Sequence, residues 1–136
     1  MRLLVLDGQG GGVGRSLVEG LKAALPDQEI IAVGLNAAAT AAMLRAGADA
    51  GATGENAVVY NCRRADVILG PIGILTANAM LGEVTEKMAV AVGSSEALKI
   101  VVPIQKCHVE VAGLPDMPIS QGVFSAVEKV QKLLGR

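Results

Sequence analysis

Residues 2–25 read RLLVLDGQGGGVGRSLVEGLKAAL, and this stretch decides the fold class. Arg2–Leu6 is a short apolar run, and five glycines follow within the seven residues Gly8 to Gly14. From Arg15 to Leu25 the apolar residues Leu17, Val18, Leu21 and Leu25 recur at three- and four-residue spacing. Glu19 and Lys22 fall on the opposite side, and Pro26-Asp27 closes the segment. A continuous apolar run followed by a 3.6-residue period is a buried strand feeding an amphipathic helix. Glycines between the two permit a tight turn and let a ligand approach the backbone. A helix N-terminus there offers unpaired N–H groups and partial positive charge. The segment therefore predicts an anionic, phosphate-bearing ligand held by Gly8, Gln9, Gly10, Gly11, Gly12, Val13 and Gly14.

The alternation continues along the chain. Glu29–Val33 is a second apolar run, stopped by Gly34, and Asn36 is placed to cap a helix over Ala37–Ala46 that ends at Gly47. Ala48–Ala52 reads as a short strand or extended connection. Thr53–Arg64 reads as a helix with Thr53 or Asn56 near its start. Asp66–Leu69 is a buried strand broken by Gly70-Pro71-Ile72-Gly73. Thr85 caps a helix running to about Val92, and Lys99–Ile104 is a strand whose Pro103 marks an end or an edge. Cys107–Val111 alternates like a half-exposed edge strand. A last helix, Ser120–Leu134, puts Val123, Val127, Val130 and Leu134 on one stripe. Apolar strands alternating with helices require a parallel sheet covered on both faces. The expectation is a single-domain α/β protein over residues 1–136, an open doubly wound, Rossmann-like, mostly parallel sheet of five or six strands.

Composition excludes several classes. The net charge of −1 comes without a long charge run, and Tyr60 and Phe124 are the only aromatic residues, which argues against nucleic acid. Hydrophobic residues make up 51%, yet no run approaches the roughly 20 apolar residues of a membrane span. Four apolar residues before Asp7 are too few for a signal-peptide core, so a cytoplasmic protein is expected. Cys62 and Cys107 are expected as reduced thiols. His108 lacks a companion ligand at metal spacing, and no metal site is expected.

The register of the glycines separates the candidate ligands. GxGxxG fails because Val13 stands at its third glycine, and DxGxGxG fails at Gln9. Gly8, Gly12 and Gly14 satisfy GxxxGxG, which resembles the cofactor loop of short-chain dehydrogenases and implies NAD or NADP. Gly10–Ser16 resembles the KGGVGK[ST] loop of partitioning-type ATPases, but Gly10 and Arg15 replace both lysines. The expected magnesium-binding aspartate is also missing, since Val67–Leu69 runs into Gly70. That reading is rejected. The dehydrogenase resemblance stops at the loop: the sole tyrosine, Tyr60, has Arg64 where a YxxxK pair needs lysine. The second strand leads into Leu35-Asn36 rather than a ribose-binding acid.

Strand ends in such sheets form the ligand crevice, which adds Asn36, Thr53, Asn56, Gly70, Pro71, Ile72 and Gly73 as candidate cofactor-binding residues. Asp7 is expected to shape the turn by accepting loop N–H groups, with a metal bridging to phosphate as the alternative. Ile74–Gly82 is apolar and suits a lid or a subunit contact, which favours a homo-oligomer, a dimer or tetramer.

Over its whole length the chain resembles a family of short bacterial Rossmann-like proteins, the domain of unknown function 3842. The resemblance rests on LDGQGGGVGR, on GATGEN at 51–56, on GPIGI from Gly70 and on ANAMLGE ending at Glu83. It implies the fold and no activity. No nucleophile–base pair is evident. The first reading is therefore a nucleotide- or dinucleotide-binding, NAD(P)-like module without recognisable catalytic residues. The alternatives are a small NAD(P)-dependent oxidoreductase with an atypical or partner-completed site, and a structural homo-oligomer without ligand.

Overall fold

Five short apolar segments become strands and pair in parallel throughout, in the order β3-β2-β1-β4-β5. The structure, a computed structural model, describes residues 1–104 and 107–136. The strands are β1 (Leu3–Asp7), β2 (Ile30–Gly34), β3 (Ala50–Thr53), β4 (Val67–Pro71) and β5 (Leu98–Val102). The helices are α1 (Gly12–Ala24), α2 (Ala37–Arg45), α3 (Glu55–Cys62), α4 (Glu86–Ser94) and α5 (Ile119–Leu133), and a 3₁₀ turn covers Ile72–Leu75.

Side chains on a strand alternate between faces, so β1 feeds both cores. Leu3 and Val5 pack with Leu17 and Leu21 of α1, Met43 of α2, and Val123, Val127 and Val130 of α5. Leu4 and Leu6 pack on the other side with Val58 and Cys62 of α3 and Met88 and Val92 of α4. The central strands are thus buried on both faces, which is why they read as unbroken apolar runs. The chain first builds outward from β1 through β2 to β3, then returns to β1's other edge with β4 and β5. That reversal puts a crevice beyond the carboxyl ends of β1 and β4.

Three local differences from the sequence reading have physical causes. Helix α1 begins at Gly12 and not Arg15, because Arg15 N–H already bonds the Gly11 carbonyl at 2.8 Å and Gly14 N–H finds the Asp7 carboxylate. Half of the glycine loop is therefore the first helical turn. Thr53 ends β3 instead of starting a helix, and Gly54, with φ of 104°, stands at the N-cap of α3. The strand expected over Cys107–Val111 does not form, so the sheet has five strands. Alternation suits a strand only when a neighbour supplies hydrogen bonds, and the ladder with β4 ends at Val102, just before Pro103, which has no N–H. Both expected caps occur: Asn36 accepts from Ala39 N–H at 2.9 Å and Thr85 from Met88 N–H at 3.1 Å.

Candidate functional site

The turn after β1 is built around Asp7. Its carboxylate, only 3% exposed, accepts from Gly8 N–H at 2.8 Å and Gly14 N–H at 2.7 Å. One side chain thereby ties the end of the strand to the first turn of α1, the loop-shaping role anticipated for it. Burial pushes the Asp7 carboxyl above its ordinary value of 3.8; the amides of Gly14 and Gly8 pull it down, and the nearby Glu83 charge pushes it up further. Among the described residues there is no cluster of three or more His, Cys, Asp or Glu able to hold a metal.

The glycines differ in why they are glycines. Gly11 has φ of 73°, and a Cβ on it would sit 2.9 Å from the Ala39 backbone. A Cβ on Gly14 would meet Met43 Sδ at 2.6 Å and Asp7 Cβ at 2.8 Å, so this glycine lets α1 close onto β1 and α2. On Gly8 it would collide with the Glu83 carboxylate and the Met80 sulfur. Gly10 and Gly12 are different: neither has a positive φ, and a Cβ on either would meet nothing within 4 Å.

The bare pair opens into a cavity of about 1120 Å³ at the β1–β4 reversal. Its polar end is formed by Asp7 and Gly8–Val13, and its floor by Pro71 and Gly73. The far wall comes from the stretch after β5, with Pro103, Ile104, Val109, Leu114, Met117 and Ile119 among its apolar residues. Met80 and Leu81 also line it. Within the polar end, Gly11 N–H bonds the Gly8 carbonyl at 2.9 Å, and the amides of Gly8, Gln9 and Gly14 go to carboxylates. The amides of Gly10 and Gly12 have no hydrogen-bond partner among the described residues. Among the described residues the lining holds Asp7, Glu110 and Asp116 but no lysine or arginine.

The sequence candidates thus fall into three groups. Gly8, Gln9, Gly10, Gly11, Gly12, Val13, Pro71 and Gly73 come together around the cavity. Gly14, Gly70 and Ile72 are buried behind it; a Cβ on Gly70 would run into the Leu6 carbonyl, so close strand packing explains that glycine. Asn36, Thr53 and Asn56 do not line the cavity. Asn36 Nδ2 donates to the Gln9 carbonyl and to Glu83 Oε2, both at 2.9 Å, and Thr53 Oγ1 pairs with Thr40 Oγ1 at 2.7 Å. Asn36 thus ties the end of β2 to the glycine loop, and Thr53 ties the end of β3 to α2.

Two parts of the site had no local sequence signal. Glu83 accepts from Gln9 N–H at 2.6 Å across 74 positions of chain. The apolar far wall follows β5, where alternation had suggested a sixth strand. Of the Ile74–Gly82 stretch, Met80 and Leu81 line the cavity.

The chain belongs to the family described as "Domain of unknown function (DUF3842)", whose model matches residues 2–135. No curated protein matches it in sequence. Among solved structures it is similar to a dodecameric FMN-dependent Ubix-like decarboxylase from Escherichia coli O157:H7, with a TM-score of 0.53 and 16% identity, covering 100% of this chain and 96% of that one. At that identity the likeness concerns the fold alone. No helix of the described residues is long and apolar enough to cross a membrane.

Proposed function

We propose that the chain is a nucleotide-binding module, one domain over residues 1–136, that holds its ligand's phosphate on the amides of Gly10 and Gly12. The observation carrying this reading is the bareness of those two glycines beside a cavity. Neither backbone torsion nor packing requires a glycine at either position, whereas a phosphate pressed against the main chain does. The N-terminal end of the α1 dipole supports the same anion.

Two nucleotide types compete for the site. The glycine spacing points to NAD or NADP, and the fold's likeness to an FMN-dependent decarboxylase brings FMN into contention. A cytoplasmic homo-oligomer belongs to the same proposal; Val111, Leu114 and Ile119, each more than 40% exposed at the cavity's apolar wall, give a second copy somewhere to sit.

Thermal unfolding with each nucleotide tests the reading. A ligand at a hundred times its Kd adds about 2.7 kcal/mol of stability, a rise of several degrees in Tm. Gly12→Asp, which has room for its side chain, should keep the ligand-free Tm and lose the rise. No shift with FMN, NAD or NADP, together with no nucleotide in the mass spectrum of the purified protein, would overturn the proposal.

A further inference from the structure

We infer that Glu83 is the specificity-determining residue of this site: it occupies the place of a second phosphate. The cavity accordingly takes a phosphomonoester with an uncharged, largely apolar body and refuses a dinucleotide. This rests on the phosphate-binding reading of Gly10 and Gly12.

The glycine loop has two anion positions, and one is already filled. On the side facing β2, Glu83 Oε1 accepts from Gln9 N–H at 2.6 Å and Oε2 accepts from Asn36 Nδ2 at 2.9 Å. The carboxylate lies so close over Gly8 that a Cβ there would collide with it. Within one loop, then, Gly8 is explained by an anion the chain supplies, and Gly10 and Gly12 by one it does not.

The anchoring of Glu83 is firm. Asn78 N–H bonds the Val84 carbonyl at 2.7 Å, Gly82 N–H the Asn78 carbonyl at 3.0 Å, and Val84 N–H the Ala79 carbonyl at 3.1 Å. A pyrophosphate running toward β2 would have to displace a carboxylate that already has two donors, or bear its charge at contact distance. The adenosine of a dinucleotide would also need the ends of β2 and β3, where Asn36 and Thr53 are engaged with the fold.

The cavity runs the other way, across Pro71 and Gly73 to the apolar wall. A second phosphate on that side would meet the carboxylates Glu110 and Asp116. An uncharged ring or chain, by contrast, would cover Ile104, Val109, Leu114 and Met117 and remove their apolar surface from water.

The test is a titration of wild type, Glu83→Ala and Glu83→Gln with FMN, NAD and inorganic phosphate. Wild type should bind FMN at least 100-fold more tightly than NAD. Glu83→Ala should cut that ratio below 10-fold by raising NAD affinity. Glu83→Gln keeps the shape and an acceptor for Gln9 N–H without the charge, so it should fall between the two, and it stands in if the alanine variant fails to fold. A wild type that binds NAD as well as FMN, or a ratio unmoved in both variants, would overturn the role of Glu83 and leave the phosphate reading standing. Binding of none of the three probes by any variant would overturn the phosphate reading itself, and this inference with it.

Discussion

Gly11 and Gly14 share a seven-residue loop with Gly10 and Gly12, yet the two pairs answer to different demands. The first pair is fixed by the protein: Gly11 by a φ of 73° and the backbone of Ala39, Gly14 by Met43 and Asp7. The second pair meets no internal demand and faces the cavity. Glycine richness is therefore two signals superimposed, one for folding and one for an approaching ligand. Only the surroundings of each Cα tell them apart.

Substitution by alanine should split the pairs cleanly. Gly11→Ala combines a left-handed backbone with a clash against main chain, and should cost about 3 kcal/mol, read as a lower urea midpoint at unchanged slope. Gly14→Ala should cost about 2 kcal/mol, since Met43 can swing aside but the Cβ of Asp7 cannot. A loss below about 0.5 kcal/mol in both would erase the distinction drawn above.

Acid titration sharpens the folding half of the comparison, with a smaller effect. The Asp7 carboxyl is raised above 3.8 in the folded chain, chiefly by burial. The folded state then holds this proton more tightly than the unfolded one. Its contribution is favourable below 3.8 and is lost as pH rises through the raised folded value. Stability of wild type relative to Asp7→Asn should therefore decline from pH 3 to pH 7 in urea unfolding. A relative rise over that range would mean that the amides of Gly8 and Gly14 outweigh burial. Asp49 titrates in the opposite sense, since its hydrogen bonds from Lys22 and Ile30 lower it, so it must be left intact in both proteins.

The smallest effect on the fold belongs to the other pair. Gly10→Ala should change stability by no more than about 0.5 kcal/mol and weaken nucleotide binding at least tenfold, measured by calorimetric titration. A loss of stability comparable to that of Gly14→Ala would mean that the bare glycines are structural after all.

Much of the fold was legible because its signals are local. The apolar runs at Leu3–Leu6, Ile30–Val33 and Val67–Leu69 have no polar face because both faces are covered, and the caps Asn36 and Thr85 stand where the helical period begins. Cys107–Val111 misled for the opposite reason: its alternation fits a pleat, but strand formation needs a neighbour whose ladder continues. At the site, Gly8–Val13, Pro71 and Gly73 were readable from position at strand ends. Glu83 was not, because its partner Gln9 lies 74 residues away and a lone glutamate carries no local pattern. Asn36 and Thr53 looked equivalent to the glycines by position alone, and only their hydrogen bonds to Gln9, Glu83 and Thr40 show that the fold already engages them.

The two thiols carry a practical consequence. Cys62, the last residue of α3, is buried in the core it shares with α4, and that burial pushes it up to about 11, so near neutral pH it stays protonated and out of reach of alkylating agents. Cys107 is half-buried on the cavity wall, with its Sγ donating to the Ile104 carbonyl at 3.1 Å. The native sequence thus has a built-in chemical footprint: the rate at which a maleimide labels the intact chain reports on one position, and a molecule resting against the apolar wall would shield it without any engineered probe.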